Sequence, residues 1–240
     1  MHLMASTALR TKHVALWRDL LAKLAVDSML HVTRVKSRAL SLGHDMTLVR
    51  VSEMDITFSF WSAGIVFRGD MKVTPHDMSI DNVSLQSRDW QRLECQTEFC
   101  ACLIVGDLAF KETAVKSTPV TASILTRVYH DTLETDYWLG VSDIIAKLGI
   151  TLFLVSGEIS PRGRAVLESR NCTAIAHVPR DSLLKIASVT AVKLTTAAFL
   201  PRAKPRHVTK VSKLSVYSSS LQSEQLFLIP HSAHASIVLW

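Results

Sequence analysis

The chain has 240 residues, of which 48% are hydrophobic. This is enough for one large domain or two modest ones, and it excludes an intrinsically disordered chain. Lys and Arg number 27 against 21 Asp and Glu, so the formal net charge is +6. That balance permits acidic partners, but the basic residues are scattered singly and form no stripe interleaved with aromatics, so nucleic acid is not predicted as a partner.

The amino-terminal residues lack a signal-peptide apolar core of sufficient length, and no window reaches the roughly 18 apolar residues that a membrane span needs. We therefore expect a cytoplasmic protein without a membrane span. The cysteines, Cys95, Cys100, Cys102 and Cys172, are too sparse for a disulfide framework and fit reduced thiols. Because CxxxxCxC is not a recognised zinc pattern, neither a metal nor another cofactor is predicted.

The first half of the chain predicts one helix followed by strands. Leucines at helical spacings indicate an amphipathic helix over His13 to Val35, and alternation indicates a half-buried strand over Met46 to Ser59. Gly64 precedes a short apolar run and is interpreted as a hinge or a bulge. A polar, irregular stretch from Val73 to Glu98 suggests a loop or an extended ribbon, and a buried strand over Phe99 to Val105 follows it.

The second half holds the clearest strand, turn, helix, strand unit, LFLVSGEISPRGRAVLESRNCTAIAHV, from Leu152 to Val178. One or two helices over Thr126 to Leu148 lead into it. Ser160 is a good helix cap with a proline after it, and Asp181 is expected to cap the next helix. Three brief strands are predicted beyond Pro205: Lys213 to Tyr217, Gln225 to Ile229 and Ser236 to Leu239.

Residues that could carry chemistry are few. No HExxH, GxSxG, Walker-type loop or GxGxxG occurs. Asp131, Glu134 and Asp136 form an acidic group on a helical stretch, where a solvated face is commoner than acid–base catalysis. A small α/β enzyme, a hydrolase or transferase of unknown substrate that uses Asp131, Glu134, His177 or the cysteines, stays open. It requires His177 and Glu158 to converge on one cleft with a nucleophile within hydrogen-bond reach. We assign no catalytic residue and expect no enzymatic activity.

The segment GITLFLVSGEISPRGRAVLESRNCTAIAHVPRDSLLKIASVT resembles the apical domain of group II chaperonins, the family of TRiC/CCT and the thermosome. In that family a strand leads into a KGIS turn, a helix, an ITAIRRV strand and a KxDxxRIAxxTGA helix. The sequence FCACLIVGDLAFKETAVK is similar to the family's AKVALLNCPLEYEKTETK strand, and Gly64 to Phe67 resembles its GVVLDK strand. The segment from Val120 to Leu148 matches its helical protrusion.

This resemblance implies an α/β fold with a chaperonin apical-domain-like sheet and flanking helices, inserted in a partial α+β intermediate domain. Residues 64–206 would form the apical, polypeptide-binding domain. Residues 1–63 and 207–240 would form the partial intermediate domain, in which Leu20 to Val35 looks like the family's helix and the closing segment like its paired strands.

The sequence also departs from the family. Val189-Thr190-Ala191 lacks the TGA glycine, and Ala176-His177-Val178 replaces an Arg-Arg pair. Neither a GPxG nor a GDGTT phosphate loop is present, and the chain stops before the helix that carries the catalytic aspartate. The resemblance therefore implies no ATP hydrolysis, as in a truncated isoform or in the diverged chaperonin-like proteins of the McKusick-Kaufman and Bardet-Biedl group.

In the family, the helices that match Ser160 to Arg170 and Asp181 to Ser188 line a groove that grips non-native polypeptide. The resemblance thus implies a polypeptide-binding set: Arg162, Arg164, Leu167, Glu168, Arg170, Arg180, Leu184 and Lys185. The alternative for the apolar residues of these helices is that Val166, Leu167, Leu183 and Ile186 face the core.

The expected function is to bind unfolded or partly folded proteins, chaperonin subunits or a larger assembly, and so to assist folding or complex assembly. A scaffold subunit without client binding is the remaining alternative.

Overall fold

The apolar runs of the sequence form strands in the computed structural model, and the stretches with a polar side form helices. The structure describes residues 1–10, 15–35, 45–51, 56–73, 83–84, 90–95, 98–110, 124–219 and 225–239. Its α-helices are α1 (His2–Leu9), α2 (Arg18–Val35), α3 (Ile124–Leu148), α4 (Pro161–Ser169) and α5 (Arg180–Thr190). Its strands are β1 (Met46–Arg50), β2 (Phe60–Ala63), β3 (Ile65–Val73), β4 (Val83–Ser84), β5 (Trp90–Cys95), β6 (Phe99–Ile104), β7 (Leu152–Val155), β8 (Thr173–Ala176), β9 (Val208–Val211), β10 (Leu214–Ser219), β11 (Gln225–Ile229) and β12 (Ala235–Leu239).

The strands form two sheets. A three-stranded sheet has the order β1-β12-β2, and a nine-stranded sheet has the order β4-β5-β10-β11-β3-β8-β7-β6-β9. Strands β6, β7 and β8 are parallel neighbours, connected through α3 and α4. This pair of crossovers is the βαβ arrangement expected when helices alternate with buried strands. The predicted α/β class is confirmed.

Helices cover both faces of the parallel strands. Along β7, Phe153 belongs to a core cluster with Leu167 of α4, whereas Leu154 belongs to a second cluster with Leu183 of α5. Successive strand residues point to opposite faces. Helices α4 and α5 therefore bury their apolar sides on opposite faces of β7, and α3 shares the α4 face through Trp138.

The ends of α4 and α5 differ in how well the sequence predicts them. The Ser160 hydroxyl accepts the Gly163 N–H at 3.1 Å, which confirms the predicted cap. Asp181 lies inside the first turn of α5, and the residue before that helix is Pro179, so the predicted Asp181 cap is wrong. A carboxylate in the first turn still complements the helix dipole. Helix α5 ends at Ala191 in the left-handed conformation, where the chaperonin motif has glycine.

Other predicted elements change at their ends. The first predicted helix begins later, with a 3₁₀ turn at Ala15–Trp17 before α2. The first predicted strand stops at Arg50, and a 3₁₀ turn occupies Ile56–Phe58. Part of the polar stretch predicted as a loop or an extended ribbon forms strand β5, which pairs with β10. The three carboxy-terminal strands and the helix that ends at Leu148 are confirmed.

Gly64 occupies a tight bend between β2 and β3, with a φ of +133°. A Cβ atom there would overlap the carbonyl oxygen of Ile229, and the Gly64 N–H donates to the His234 carbonyl at 2.9 Å. Only glycine fits both the backbone angle and the space. Its role as a hinge stays a prediction.

The predicted domain ranges also stay a prediction. Strands β1, β2 and β12 come from the ranges assigned to the intermediate domain. Strands β9 to β11 come from the same ranges but pair with β6, β5 and β3 of the nine-stranded sheet, so backbone pairing crosses position 206. Among the helices described, none combines the length and apolar character that a bilayer crossing requires.

Candidate functional site

The arginines at the two ends of α4 reach across to α3. Arg162 Nη1 lies 3.0 Å from Glu134 Oε2, and its Nη2 donates to Thr135 Oγ1 at 2.7 Å. Arg170 Nε donates to Ser142 Oγ at 2.6 Å. The two guanidinium groups are therefore held at separate points along one side of α3.

An exposed leucine lies between those two points. Leu139 is four residues after Thr135 and three before Ser142, and residues at these spacings are neighbours on a helix surface. Its relative exposure is 59%. We call Leu139, Arg162 and Arg170 the α3–α4 surface. Leu139 is not among the residues predicted from the sequence, although the helical period of the buried residues Trp138, Val141 and Ile145 puts it outside the core.

The remaining candidates of α4 behave differently from each other. Arg164 Nη2 lies 3.5 Å from Glu158 Oε1, so this arginine pairs with the turn before the helix. Glu168 is exposed. Leu167 is fully buried against the α3 side, because it lies one turn after Gly163 on the inward face. Its assignment as a polypeptide-binding residue is therefore wrong.

The candidates of α5 form a second group. Arg180 and Leu184 are four residues apart on the outward side of the helix, and Leu184 has a relative exposure of 47%. The face opposite them buries Leu183 and Ile186, and these two residues face the core as the alternative reading expected. We call Arg180 and Leu184 the α5 surface.

Lys185 is half-buried and connects α5 to the three-stranded sheet. Its Nζ donates to Thr47 Oγ1 at 3.2 Å, and the same oxygen lies 2.8 Å from Nε2 of the buried His234. The polar contacts of the candidate residues thus run in two directions, towards α3 and towards β1. The structure groups them into two surfaces and not into one patch.

Comparison with solved structures finds a similar architecture in a known protein. The open-state monomer of a group II chaperonin from Methanococcoides burtonii is similar to it with a TM-score of 0.63 and 10% sequence identity. The fold is chaperonin-like. The similarity covers 99% of this chain and 49% of that monomer, so the chain spans about half the length of the chaperonin it matches. At this identity the likeness shows the fold alone. No protein-family model and no curated protein matches the sequence.

The residues on which the enzyme alternative depends lie on neighbouring turns of this chaperonin-like fold, since the His177 N–H donates to the Gly157 carbonyl at 3.2 Å, but their side chains pair with different residues. His177 Nε2 lies 3.7 Å from Asp70 Oδ2, whereas Glu158 pairs with Arg164. Glu134 accepts from the Trp138 indole at 3.2 Å and from Arg162, which gives it a structural role between two helices. Within the described ranges, no three His, Cys, Asp or Glu side chains are grouped to hold a metal ion.

The described cysteines are packed as thiols. Burial raises the pKa of Cys102 to about 12. Burial also raises the pKa of Cys172 to about 11, against a smaller lowering by the Arg170 charge. Cys100 is half-buried, with Sγ 3.8 Å from the Leu148 carbonyl oxygen, and the Cys95 side chain lies outside the described residues. Cys102 and Cys172 are therefore protonated near neutral pH and poor nucleophiles.

Proposed function

We propose that this chaperonin-like chain binds unfolded polypeptides or partner subunits in the cytoplasm, and that it assists folding or assembly without hydrolysing ATP. The observation that carries the proposal is the fold, which follows that of a group II chaperonin over 99% of the chain. The absence of a phosphate-loop motif from the sequence supports the second part, because ATP hydrolysis depends on groups that hold the phosphates.

The α3–α4 surface and the α5 surface are the proposed contact points. On each, an exposed leucine lies beside arginine: Leu139 with Arg162 and Arg170, and Leu184 with Arg180. The leucine would take an apolar side chain of the bound segment, and the guanidinium groups would donate to its carbonyl or carboxylate oxygens. Each such contact is weak. Two surfaces that engage the same flexible chain would bind it more tightly than either alone.

The test is binding of a permanently unfolded protein, for example fluorescently labelled α-lactalbumin that has been reduced and carboxymethylated. Leu139→Ser and Leu184→Ser should each weaken binding by about fivefold, since each loses roughly 1 kcal/mol of apolar contact. Leu48→Ser is the matched control. Leu48 has a relative exposure of 66%, and it points to the side of β1 opposite Thr47 and hence away from Lys185.

The proposal is wrong if the folded wild-type protein does not bind the unfolded probe, or if all three leucine variants bind it equally well. Phosphate release from ATP by the purified wild-type chain would overturn the second part. Capture of one defined partner at a fixed ratio, with no binding of the unfolded probe, would instead indicate a scaffold subunit.

A further inference from the structure

The segment that follows α5 is a closed loop held at both ends. The Lys193 N–H donates to the Arg206 carbonyl at 3.0 Å, which joins the start of the loop to its end. Thr195 exchanges backbone hydrogen bonds with Leu103 and Val105, at 3.0 and 2.9 Å, and so pairs alongside the carboxyl end of β6. Two 3₁₀ turns, Ala197–Arg202 and Pro205–His207, complete the loop. These contacts give the loop a defined shape.

This loop encloses a cleft of about 310 Å³ on the protein surface. Its basic lining consists of Arg202, Lys204, Arg206 and His207, and Leu194 and Phe199 supply its main apolar side chains. Phe199 has a relative exposure of 64%. We call this site the basic cleft. The four basic residues come from one short stretch of sequence, PRAKPRH, and the two 3₁₀ turns place all of them on the cleft.

Among the residues that line the cleft, no acidic side chain balances this charge. The cleft lining contains no Asp or Glu, and none occurs in the sequence between Asp181 and Glu224. Within the described part of the chain, Arg202, Lys204 and Arg206 are exposed and form no ion pair. A concave site that is lined by positive charges attracts anionic groups.

His207 adds a directed donor to the cleft. Its Nδ1 accepts the Lys204 N–H at 2.9 Å, so the neutral ring carries its proton on Nε2 and can donate from there. Burial, followed by the charges of Arg206, Lys193 and Lys204, lowers the pKa of His207. A bound carboxylate would offset the effect of those charges.

We propose that the basic cleft binds an acidic segment of another polypeptide, with its carboxylates on Arg202, Lys204 and Arg206 and an apolar side chain against Phe199. The cleft offers one exposed aromatic ring and no succession of rings on which bases could stack, so its chemistry favours a peptide over single-stranded nucleic acid. This inference uses no residue of the α3–α4 or α5 surface and does not rest on the proposed function.

Fluorescence anisotropy tests it with a labelled peptide in which Glu and Leu alternate. The wild-type protein should bind this peptide, bind a Gln–Leu version far more weakly, and lose affinity as salt is added. Lys204→Glu combined with Arg206→Glu should lower the affinity about tenfold or more. Lys23→Glu combined with Lys147→Glu is the matched control, because it changes the net charge equally at exposed sites elsewhere and should leave binding nearly unchanged.

A second variant, Phe199→Ser, keeps the charges and should lower the affinity about fivefold. An equal loss of peptide affinity in both double variants would show that the net charge of the protein, and not the cleft, attracts the peptide. A labelled single-stranded oligonucleotide of the same charge that binds more tightly than the peptide would overturn the assignment of the ligand. Absence of peptide binding by the folded protein would overturn the proposal altogether.

Discussion

Gly163 lies so close to Trp138 that a Cβ atom on it would be 2.7 Å from the indole Cη2. The absence of a side chain at residue 163 lets α4 pack against α3 and places Arg162 next to Glu134. Trp138 is almost fully buried, so it has little room to move away. The α3–α4 surface therefore depends on this glycine.

Gly163→Ala should lower the free energy of unfolding by about 1–3 kcal/mol, the usual cost of overpacking a core. Urea denaturation measures it. Gly140→Ala is the control, since a Cβ there would be 3.4 Å from the nearest atom, in Pro201, and alanine favours the helix by about 0.5–1 kcal/mol. Equal effects of the two substitutions would contradict the packing argument.

Ala191→Gly should raise the free energy of unfolding by about 0.5–1 kcal/mol. Ala191 ends α5 with φ 54° and ψ 31°, a conformation in which glycine is free of the Cβ strain that alanine carries. Part of that gain is offset by the greater freedom of glycine in the unfolded chain. Ala165→Gly, at an exposed position inside α4, should instead lower the free energy of unfolding by a similar amount. A destabilised Ala191→Gly variant would refute the expectation.

Cys102 and Cys172 should resist iodoacetamide at pH 8 in the folded protein. Their pKa values, raised to about 12 and about 11 by burial, leave almost no thiolate, and the side chains are inaccessible. Both should be alkylated after unfolding in urea, as peptide mass mapping can show. Rapid modification of either residue in the native protein would mean that the parallel sheet opens locally.

His207 should make the stability fall in mildly acidic solution. Its pKa is below the ordinary value of 6.5, chiefly because of burial and also because of the nearby cations Arg206, Lys193 and Lys204. The unfolded chain therefore binds more protons, so this contribution is complete above pH 6.5 and is lost as the pH falls through the folded-state pKa.

As the pH is lowered below 6.5, the urea concentration at the midpoint of unfolding should decline less for His207→Asn than for the wild type. An unchanged decline would place the responsible group elsewhere.

Addition of the acidic Glu–Leu peptide should raise the pKa of His207, which NMR titration of its ring protons would follow. This readout is independent of the anisotropy assay.

Local signals in the sequence predicted the central unit well. An apolar run of LFLV, followed by Ser160 and Pro161, is sufficient to indicate strand β7 and the start of α4. The same kind of reasoning failed at Asp181, because a cap must directly precede the helix, and this helix already begins at Arg180. In the stretch that contains β5 it left a loop or an extended ribbon open, because that strand is defined by its pairing with distant β10.

The sequence by itself indicated the helices and strands of the central unit, since hydrophobic periodicity and caps act over a few residues, and its resemblance to the chaperonin motifs implied the fold. Only the tertiary structure decided which side chains are accessible. Leu167 is buried because α4 packs on α3, and Arg162 meets Glu134 across 28 positions of sequence. The basic cleft likewise exists because backbone hydrogen bonds close one loop, a contact that no local pattern specifies.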